Sequence, residues 1–361
     1  MGDAGLFRLP KLDQRTMKVT QLPLEHLVRQ SYSMILEKNF IMNKKKNYAT
    51  LLLILVTQVM VSQAKVASNG SMDSPNILFV FSDDHAWQSI GAYGGRLKEV
   101  AHTPNIDKLA SEGMLFRKCF VANALCGPSR AAVLTGKYGH RNGVTWNRNT
   151  NFDGSQQTFP KMMRQNGYQT AIIGKWHLAS VPTGFDYFDV MKGQGRYYNP
   201  FLQRGNAEGL QDTRTVVGYN SDIVGDLTIE WLKNGRDKSK PFMLMSQFKA
   251  THHGFCPGPE EYDLYDDVHI PEPDNLFDDF SYRGTAIREQ TLTLYKNLSH
   301  SILVGDPGEL GELNPDQRKA WDAYRSKFSK PYQAMNLNWS DQSRELSRFK
   351  YQSLLKNFLA S

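Results

Sequence analysis

The sequence has few cysteines and no long apolar run, and each shortage excludes a class of protein. Its three cysteines, Cys119, Cys126 and Cys256, are too few among 361 residues for a disulfide scaffold. Their spacing matches no cysteine-based metal site, and they can form at most one disulfide. The longest apolar stretch, Tyr48 to Val61, contains polar interruptions and falls short of the roughly 20 residues that a membrane-spanning helix needs.

The chain carries almost no net charge beyond its first 65 residues. Residues 1–65 contain ten Lys/Arg and four Asp/Glu, whereas the remainder contains 33 and 32. The formal net charge of +7 therefore comes mainly from the N-terminal segment, and we predict no nucleic-acid-binding surface. The composition, 40% hydrophobic and 22% charged, is typical of a globular protein with one large or two ordinary domains.

The N-terminal segment has the layout of an export signal. Lys44, Lys45 and Lys46 precede the apolar stretch, and Ser62-Gln63-Ala64 places small residues where a signal peptidase reads them. We predict an over-extended N-terminus over 1–41, a signal peptide over 42–64 and a linker over 65–75. The predicted location is the periplasm or the exterior, without stable membrane association. A single membrane anchor is the alternative interpretation.

Beyond the linker, strand-like and helix-like segments alternate. Apolar runs predict strands over Ile77–Phe81, Tyr168–Ile173 and Phe242–Met245. Helices are predicted over 104–109, 129–134, 158–165, 220–233 and 344–360. This alternation predicts an α/β domain with a mostly parallel sheet flanked by helices.

Polar side chains follow the three predicted strands, at the point where each strand ends. In open parallel sheets, ligands bind beyond the carboxyl ends of the strands, so we expect these side chains to converge on one site. They are Asp83 and Asp84, then Lys175 and His177, then Lys249, His252 and His253.

A short segment around Cys126 combines a nucleophile with a cation. In Cys126-Gly127-Pro128-Ser129-Arg130, Pro128 can open a helix because the first turn needs no N–H partner there. Cys126 would then precede a helix N-terminus, which favours anions, and Arg130 would add a planar cation one turn later. The structural alternative is a buried Cys in a helix-capping turn.

This segment, with Thr135-Gly136 after it, resembles the signature of the type I, formylglycine-dependent sulfatases of the alkaline phosphatase superfamily. In that family a formylglycine-generating enzyme oxidises the Cys to an aldehyde, whose hydrate attacks the sulfur of a sulfate ester. The resemblance implies a formylglycine at position 126 that acts as the nucleophile. Cys119 and Cys256 would then be the pair left for a disulfide.

Three further segments resemble the same family. Asn76–Asp84 is similar to its calcium-binding opening, Gly174–Leu178 to its G-K-W-H-L string, and Phe248–His252 to its F-K-A-P-H string, with Thr251 in place of Pro. In the family the Lys contacts the sulfate, the first His holds the reacting group, and the second His protonates the leaving oxygen or binds sulfate. The resemblance implies calcium ligands at Asp83, Asp84 and Cys126, and a catalytic set of Cys126, Arg130, Lys175, His177 and His252.

The segment Tyr265–Arg288 resembles a branch that includes bacterial mucin-desulfating and N-acetylglucosamine-6-sulfate sulfatases, which implies a sulfated sugar as substrate. Family members continue with a strand ending in Asp-Asn-Gly that completes the calcium site. The resemblance therefore implies that 76–361 is an incomplete N-terminal catalytic domain. A phosphonate or phosphodiester hydrolase of the same superfamily and an inactive glycan-binding fragment are the alternatives.

Overall fold

The computed structural model describes residues 74–148, 150–294, 298 and 307–361. The predicted signal peptide and nearly all of the predicted linker lie outside the described residues. Six strands form one sheet. In chain order they are β1 Ile77–Phe81, β2 Gln169–Lys175, β3 Tyr187–Met191, β4 Phe201–Asn206, β5 Gly209–Thr215 and β6 Phe242–Gln247.

The sheet is mixed, with the spatial order β1-β6-β2-β3-β4-β5. The pairs β1–β6, β6–β2 and β2–β3 are parallel, whereas β3–β4 and β4–β5 are antiparallel. The predicted α/β class with a mostly parallel sheet is confirmed, and the antiparallel hairpin β4–β5 extends it at one end.

Nine α-helical segments accompany the sheet in the described part of the chain. They are α1 Pro104–Glu112, α2 Cys126–Thr135, α3 Gly139–Asn142, α4 Phe159–Gln165, α5 Asn220–Glu230, α6 Thr285–Arg288, α7 Pro307–Leu310, α8 Pro315–Ala334 and α9 Arg344–Ala360. A π-helical turn, Trp231–Gly235, continues α5, so the helix predicted over 220–233 changes its hydrogen-bonding pattern near its end. The other predicted helices and strands exist; Ile77–Phe81 and 344–360 have the predicted bounds, and the rest have ends shifted by a few residues.

The central strands are buried on both faces, which explains why they appear as continuous apolar runs. Ile172 of β2 and Met245 of β6 pack against α2 and α4 on one face. Ala171 and Ile173, their neighbours along β2, pack on the other face against Ile223 and other residues of α5. Alternate side chains of one strand thus serve two different cores.

The last two helices form a separate aromatic core with the loop that precedes β4. Trp321 and Tyr324 of α8 pack with Tyr197 and Tyr198. The Asn314 side chain and Gln317 form a capping box at the start of α8, which satisfies two backbone N–H groups of its first turn. This core holds α7, which lies just before α8 in the chain, next to the site described below.

No disulfide joins the three cysteines, all of which lie in the described part of the chain; Cys119 is exposed and Cys256 is buried. The disulfide that the resemblance left available is therefore not formed. No helix within the described ranges is long and apolar enough to cross a bilayer.

Candidate active site

The candidate site lies at the carboxyl edge of three parallel strands, as the sequence predicts. Asp83 follows β1, Lys175 is the last residue of β2, and Lys249 follows β6. Because β6 pairs in parallel with both β1 and β2, the three ends meet at one edge. The Asp83 N–H donates to the Ala250 carbonyl at 3.1 Å, which ties the first loop to the third.

The backbone at this edge adopts conformations that are uncommon for residues with side chains. Asp84 has a φ of +57° and His177 a φ of +49°. Gly174 has a φ of +100°, and a Cβ there would stand 1.9 Å from the Gln247 carbonyl oxygen. Non-glycine residues with a positive φ are uncommon and cluster at functional sites. Their presence in two separate loops therefore supports a functional site at this edge of the sheet.

The helix that carries Cys126 begins earlier than predicted. We expected it to start near Ser129, with Cys126 ahead of it, but α2 begins at Cys126 and Leu125 precedes it. Pro128 fits because none of the first backbone N–H groups of a helix has an intrahelical partner. The Gly127 N–H donates to Asn147 Oδ1 at 3.0 Å, so little of this helix start remains for an anion.

A buried charge cluster replaces the backbone as the source of positive charge. Asp83, Arg130 and Lys175 are 6%, 3% and 0% exposed. Lys175 Nζ forms an ion pair with Asp83 Oδ2, and Arg130 Nη2 lies 3.4 Å from the same oxygen. Burial alone would raise the pKa of Asp83, but Lys175 and then Arg130 outweigh it and hold that pKa below its usual value.

Arg130 is fixed by partners on three strands. Its Nη1 donates to the Lys175 carbonyl at 2.7 Å and to Gln247 Oε1, and its guanidinium lies over the Phe81 ring at 5.2 Å. Its buried Nε has no hydrogen-bond partner among the residues that the structure describes. An orphaned buried donor of a cation is costly, and a bound oxyanion would satisfy it.

Two further residues, which no sequence motif indicated, bind the buried lysines of the site. Gln194 Oε1 accepts from Lys175 Nζ at 2.6 Å, and the Gln194 carbonyl lies 3.5 Å from Lys249 Nζ. Glu309, on α7, accepts from Lys249 Nζ at 2.5 Å. Lys249 is fully buried and lies 4.9 Å from the centre of the Tyr197 ring. Each buried lysine of the site therefore has its own carboxylate.

Both predicted histidines are buried and electrically neutral at physiological pH. Burial, then Lys175 and Arg130, lower the pKa of His177 to about 4. Burial, then Lys175 and Lys249, lower the pKa of His252 to about 3. His252 Nδ1 lies 3.0 Å from the His253 carbonyl, which can only accept, so Nδ1 carries the proton and Nε2 presents a lone pair. His177 Nδ1 is buried and has no hydrogen-bond partner in the described part of the chain.

Cys126 lies close to the loop after β1, which carries Asp84, and to the loop after β6, which carries His252. The side-chain ligand atoms of Cys126, Asp84 and His252 all lie within 4.8 Å of one another. Burial raises the pKa of the Cys126 thiol; Lys175 opposes this, while Asp83 and Asp84 add to it. A cysteine in such a setting is a poor thiolate nucleophile.

The acidic pair suits a hard cation. Loss of water and the charge of Asp83 raise the pKa of Asp84, and Asp84 makes no ion pair with any residue that the structure describes. A cation beside it would relieve this repulsion. Asp83 and Asp84 could supply part of the about six to eight oxygen ligands that Ca²⁺ takes.

An open cavity of about 310 Å³ exposes this chemistry to solvent. Its lining includes Asp83, Asp84, Cys126 and Arg130, with Val121 at its wall. Lys175 and His252 lie against residues of this lining, and His177 is close enough to Lys175 and Arg130 for their charges to lower its pKa. All seven predicted site residues thus gather at one edge. Gln194, Gln247 and Glu309 are additions that sequence reasoning missed.

Comparisons with known proteins agree with this arrangement. Residues 75–301 match the family model described as Sulfatase. The chain is 38% identical to the N-acetylglucosamine-6-O-sulfatase of Bacteroides thetaiotaomicron, over 88% of this chain and 57% of that protein. It is also 38% identical to the human N-acetylgalactosamine-6-sulfatase, over 52% of this chain and 41% of that protein.

A solved structure gives the same result. It is described as a complex with its substrate, D-glucosamine-2-N,6-O-disulfate, and it matches with a TM-score of 0.67 and 38% identity, over 79% of this chain and 58% of that chain. The chain spans about half the length of the curated relatives that it matches. On the family match and the identity over most of its length, this chain belongs to the sulfatase family.

Proposed function

We propose that the protein hydrolyses sulfate esters of sugars, with 6-O-sulfated amino sugars as its first candidate substrates. The observation that carries the proposal is the meeting of Cys126, Asp84 and His252 within 4.8 Å beside the buried Arg130–Lys175 pair. The substrate class is supported by the 38% identity to a bacterial N-acetylglucosamine-6-O-sulfatase. The solved relative in complex with a glucosamine disulfate supports the same class.

Formylglycine is general to this family, and at position 126 it would supply the oxygen nucleophile that attacks the sulfur. Asp83 and Asp84 would hold a calcium ion, which would offset negative charge on the sulfate oxygens. The net reaction converts a sulfate ester and water into an alcohol, sulfate and a proton. The C–O bond of the sugar stays intact when the nucleophile attacks sulfur.

The chain's own side chains bind and orient the sulfate group. A lysine ammonium has three N–H donors, and Lys175 donates two of them to Asp83 and Gln194. The third donor, with the orphaned Arg130 Nε, can bind sulfate oxygens. These donors are fixed before the substrate arrives and are shielded from water, which is where such stabilisation is largest.

The role of His252 follows from its neutral state. With the proton on Nδ1, Nε2 accepts a hydrogen bond and has no proton to give to the departing sugar oxygen. His252 would therefore act on the leaving oxygen only after taking a proton at Nε2. The ion pairs of Lys175 and Lys249 with carboxylates limit the positive charge that opposes this protonation.

The proposal is tested at Cys126. The chain is produced in a host that carries the formylglycine-generating enzyme, and the peptide containing position 126 is analysed by mass spectrometry. We expect an aldehyde there and release of sulfate from N-acetylglucosamine 6-sulfate. Arg130→Lys should reduce both, since a planar fork becomes a point charge, whereas exposed Arg141→Lys should change neither.

Other outcomes would overturn the proposal. If Cys126 stays a thiol in a host that modifies a known sulfatase, the chemistry fails for this chain. Turnover of a phosphonate monoester or a phosphodiester in preference to the sulfate ester would indicate the other hydrolase class. Binding of the sulfated sugar by the aldehyde form without turnover would indicate a glycan-binding protein.

We also propose that the protein works in the periplasm or outside the cell, after removal of residues up to about Ala64. The lysines, the apolar stretch and the small residues before the predicted cleavage point support this. Sequencing the N-terminus of the exported protein should give a start near Lys65. Recovery of an intact Lys44–Val61 segment from the membrane fraction would support the anchor instead.

A further inference from the structure

A second and larger cavity lies beside the candidate active site. Its volume is about 580 Å³, within the range of small-molecule sites. Two of its lining residues, Gln194 and Glu309, belong to the network around the buried lysines: Gln194 Oε1 accepts from Lys175, and Glu309 pairs with Lys249. A molecule in this cavity would therefore lie next to the residues proposed to bind sulfate.

The sheet register explains this proximity. Lys175 and Met191, the last residues of β2 and β3, are direct partners in the parallel ladder. The loop from Lys192 to Arg196 thus starts at the same edge as Lys175. Phe201 pairs with Thr215 at that end of the β4–β5 hairpin, and both line the cavity.

The apolar part of the lining suits one face of a sugar ring. Phe201 is 44% exposed and Val217 is 69% exposed, and both border the cavity. A pyranose presents C–H groups on its faces and hydroxyls at its edge, so it needs both apolar and polar neighbours. Thr215 and Asn199 add polar atoms to the same lining.

The charged part of the lining favours an anion. Lys192 is exposed and forms no ion pair with any residue described. Within the described ranges Arg196 forms an ion pair only with Glu312, at 3.7 Å, and the Glu312 side chain is 95% exposed. Such a solvated pair is weak, and an incoming anion can replace Glu312. Glu309 is neutralised by Lys249 and does not repel an anion strongly.

We infer that this cavity is the subsite for the sugar ring of the substrate, and that Lys192 and Arg196 bind a second anionic substituent on that ring. The inference rests on the proposed function. It narrows the substrate class to sugars with a further sulfate or carboxylate beside the sulfate ester that is hydrolysed. The preference for the doubly charged sugar comes from this chain's two basic residues and leaves the reaction at sulfur unchanged.

Binding measurements test this inference. The full chain is purified with Cys126 as the thiol, so that ligands are not consumed. Calorimetric titrations use inorganic sulfate, N-acetylglucosamine 6-sulfate and glucosamine 2-N,6-O-disulfate. We expect the disulfate to bind about tenfold more tightly than the monosulfate, the sum expected of two partly exposed ion pairs.

The double variant Lys192→Gln, Arg196→Gln should lose this preference. Its affinity for the monosulfate should stay within about twofold of the parent, because the single sulfate of that sugar is bound by Arg130 and Lys175. Lys238→Gln is the matched control: Lys238 is an exposed lysine ahead of β6, at the opposite sheet edge, and its loss should leave all three affinities unchanged.

Each outcome decides between the two proposals. A double variant that keeps the preference for the disulfate overturns the subsite, as does a parent protein without any preference. If the parent binds neither sulfate nor the monosulfate, the proposed function fails, and the subsite with it. If it binds both, and only the preference is absent, the proposed function stands and the subsite alone fails.

Discussion

Asp83→Asn is the sharpest test of the charge cluster, because it removes one buried charge and changes almost no volume. Lys175 is 0% exposed and has Asp83 as its carboxylate partner. Removing one partner of a buried ion pair typically costs about 3–5 kcal/mol, since the other charge is left without compensation. Gln194 Oε1 still accepts from Lys175 at 2.6 Å, so we expect the lower end, about 3 kcal/mol.

Urea unfolding at pH 7 in the presence of a chelator measures this effect without a contribution from bound metal. For a domain of this size, 3 kcal/mol corresponds to a fall in Tm of about 6–12 °C. The matched control is Glu112→Gln, which removes an exposed carboxylate that pairs with Lys108 at 3.9 Å. That change should cost about 0.5 kcal/mol or less.

The effect should also depend on pH in a defined direction. The pKa of Asp83 is lowered in the folded protein, so its contribution is complete above the unfolded pKa near 4. It declines as the pH falls through the lower, folded pKa. The difference in stability between the parent and Asp83→Asn should therefore shrink as the pH falls below about 4. A loss of less than about 1 kcal/mol at pH 7 would refute the reasoning, because the buried lysine would not need its carboxylate.

Two further predictions concern the same edge of the sheet. Glu309→Gln leaves the buried Lys249 without its carboxylate and should lower the free energy of unfolding by about 2–3 kcal/mol in urea titrations; recovery in Glu309→Asp is the expected rescue, and a neutral Glu309→Gln would contradict the pairing. Gly174→Ala would place a Cβ 1.9 Å from the Gln247 carbonyl at a φ of +100° and should destabilise by about 3 kcal/mol or more, or prevent folding. Gly225→Ala, inside α5 with open space around it, is its control and should be neutral or stabilising; equal effects of the two changes would show that the close approach is not real.

The strands and the strand-end residues could be predicted because both follow from local pattern. Phe242–Gln247 lies in the middle of the sheet and is covered on both faces, so it reads as a continuous apolar run. Ile77–Phe81 is an edge strand whose alternate residues, Leu78 and Val80, are exposed, but its apolar run is equally visible without any tertiary information. Parallel strands share one carboxyl edge, so the polar residues after them had to lie near one another. This inference requires only that the strands are parallel, and it does not require their order in the sheet.

The hairpin β4–β5 and the residues around the lysines could not be predicted in the same way. The strand Gly209–Thr215 is mostly exposed and polar, so it lacks an apolar run. Glu309 lies 60 positions from Lys249, on a four-residue helix that the aromatic core holds in place. Gln247 offered the one usable signal, since it is a polar residue at the end of an apolar strand, two positions before Lys249.

The start of α2 lies three residues earlier than predicted, and this difference changes how the site can bind an anion. With the helix beginning at Cys126, the Gly127 N–H is bonded to Asn147, Pro128 has no N–H, and the Ser129 N–H donates to Leu125 at 2.8 Å. At most the N–H of Cys126 itself remains for a sulfate oxygen. Binding must then depend on side-chain cations, which are buried and held by carboxylates. A site built this way loses affinity through single changes at Arg130 or Lys175, whereas a backbone cradle would tolerate them.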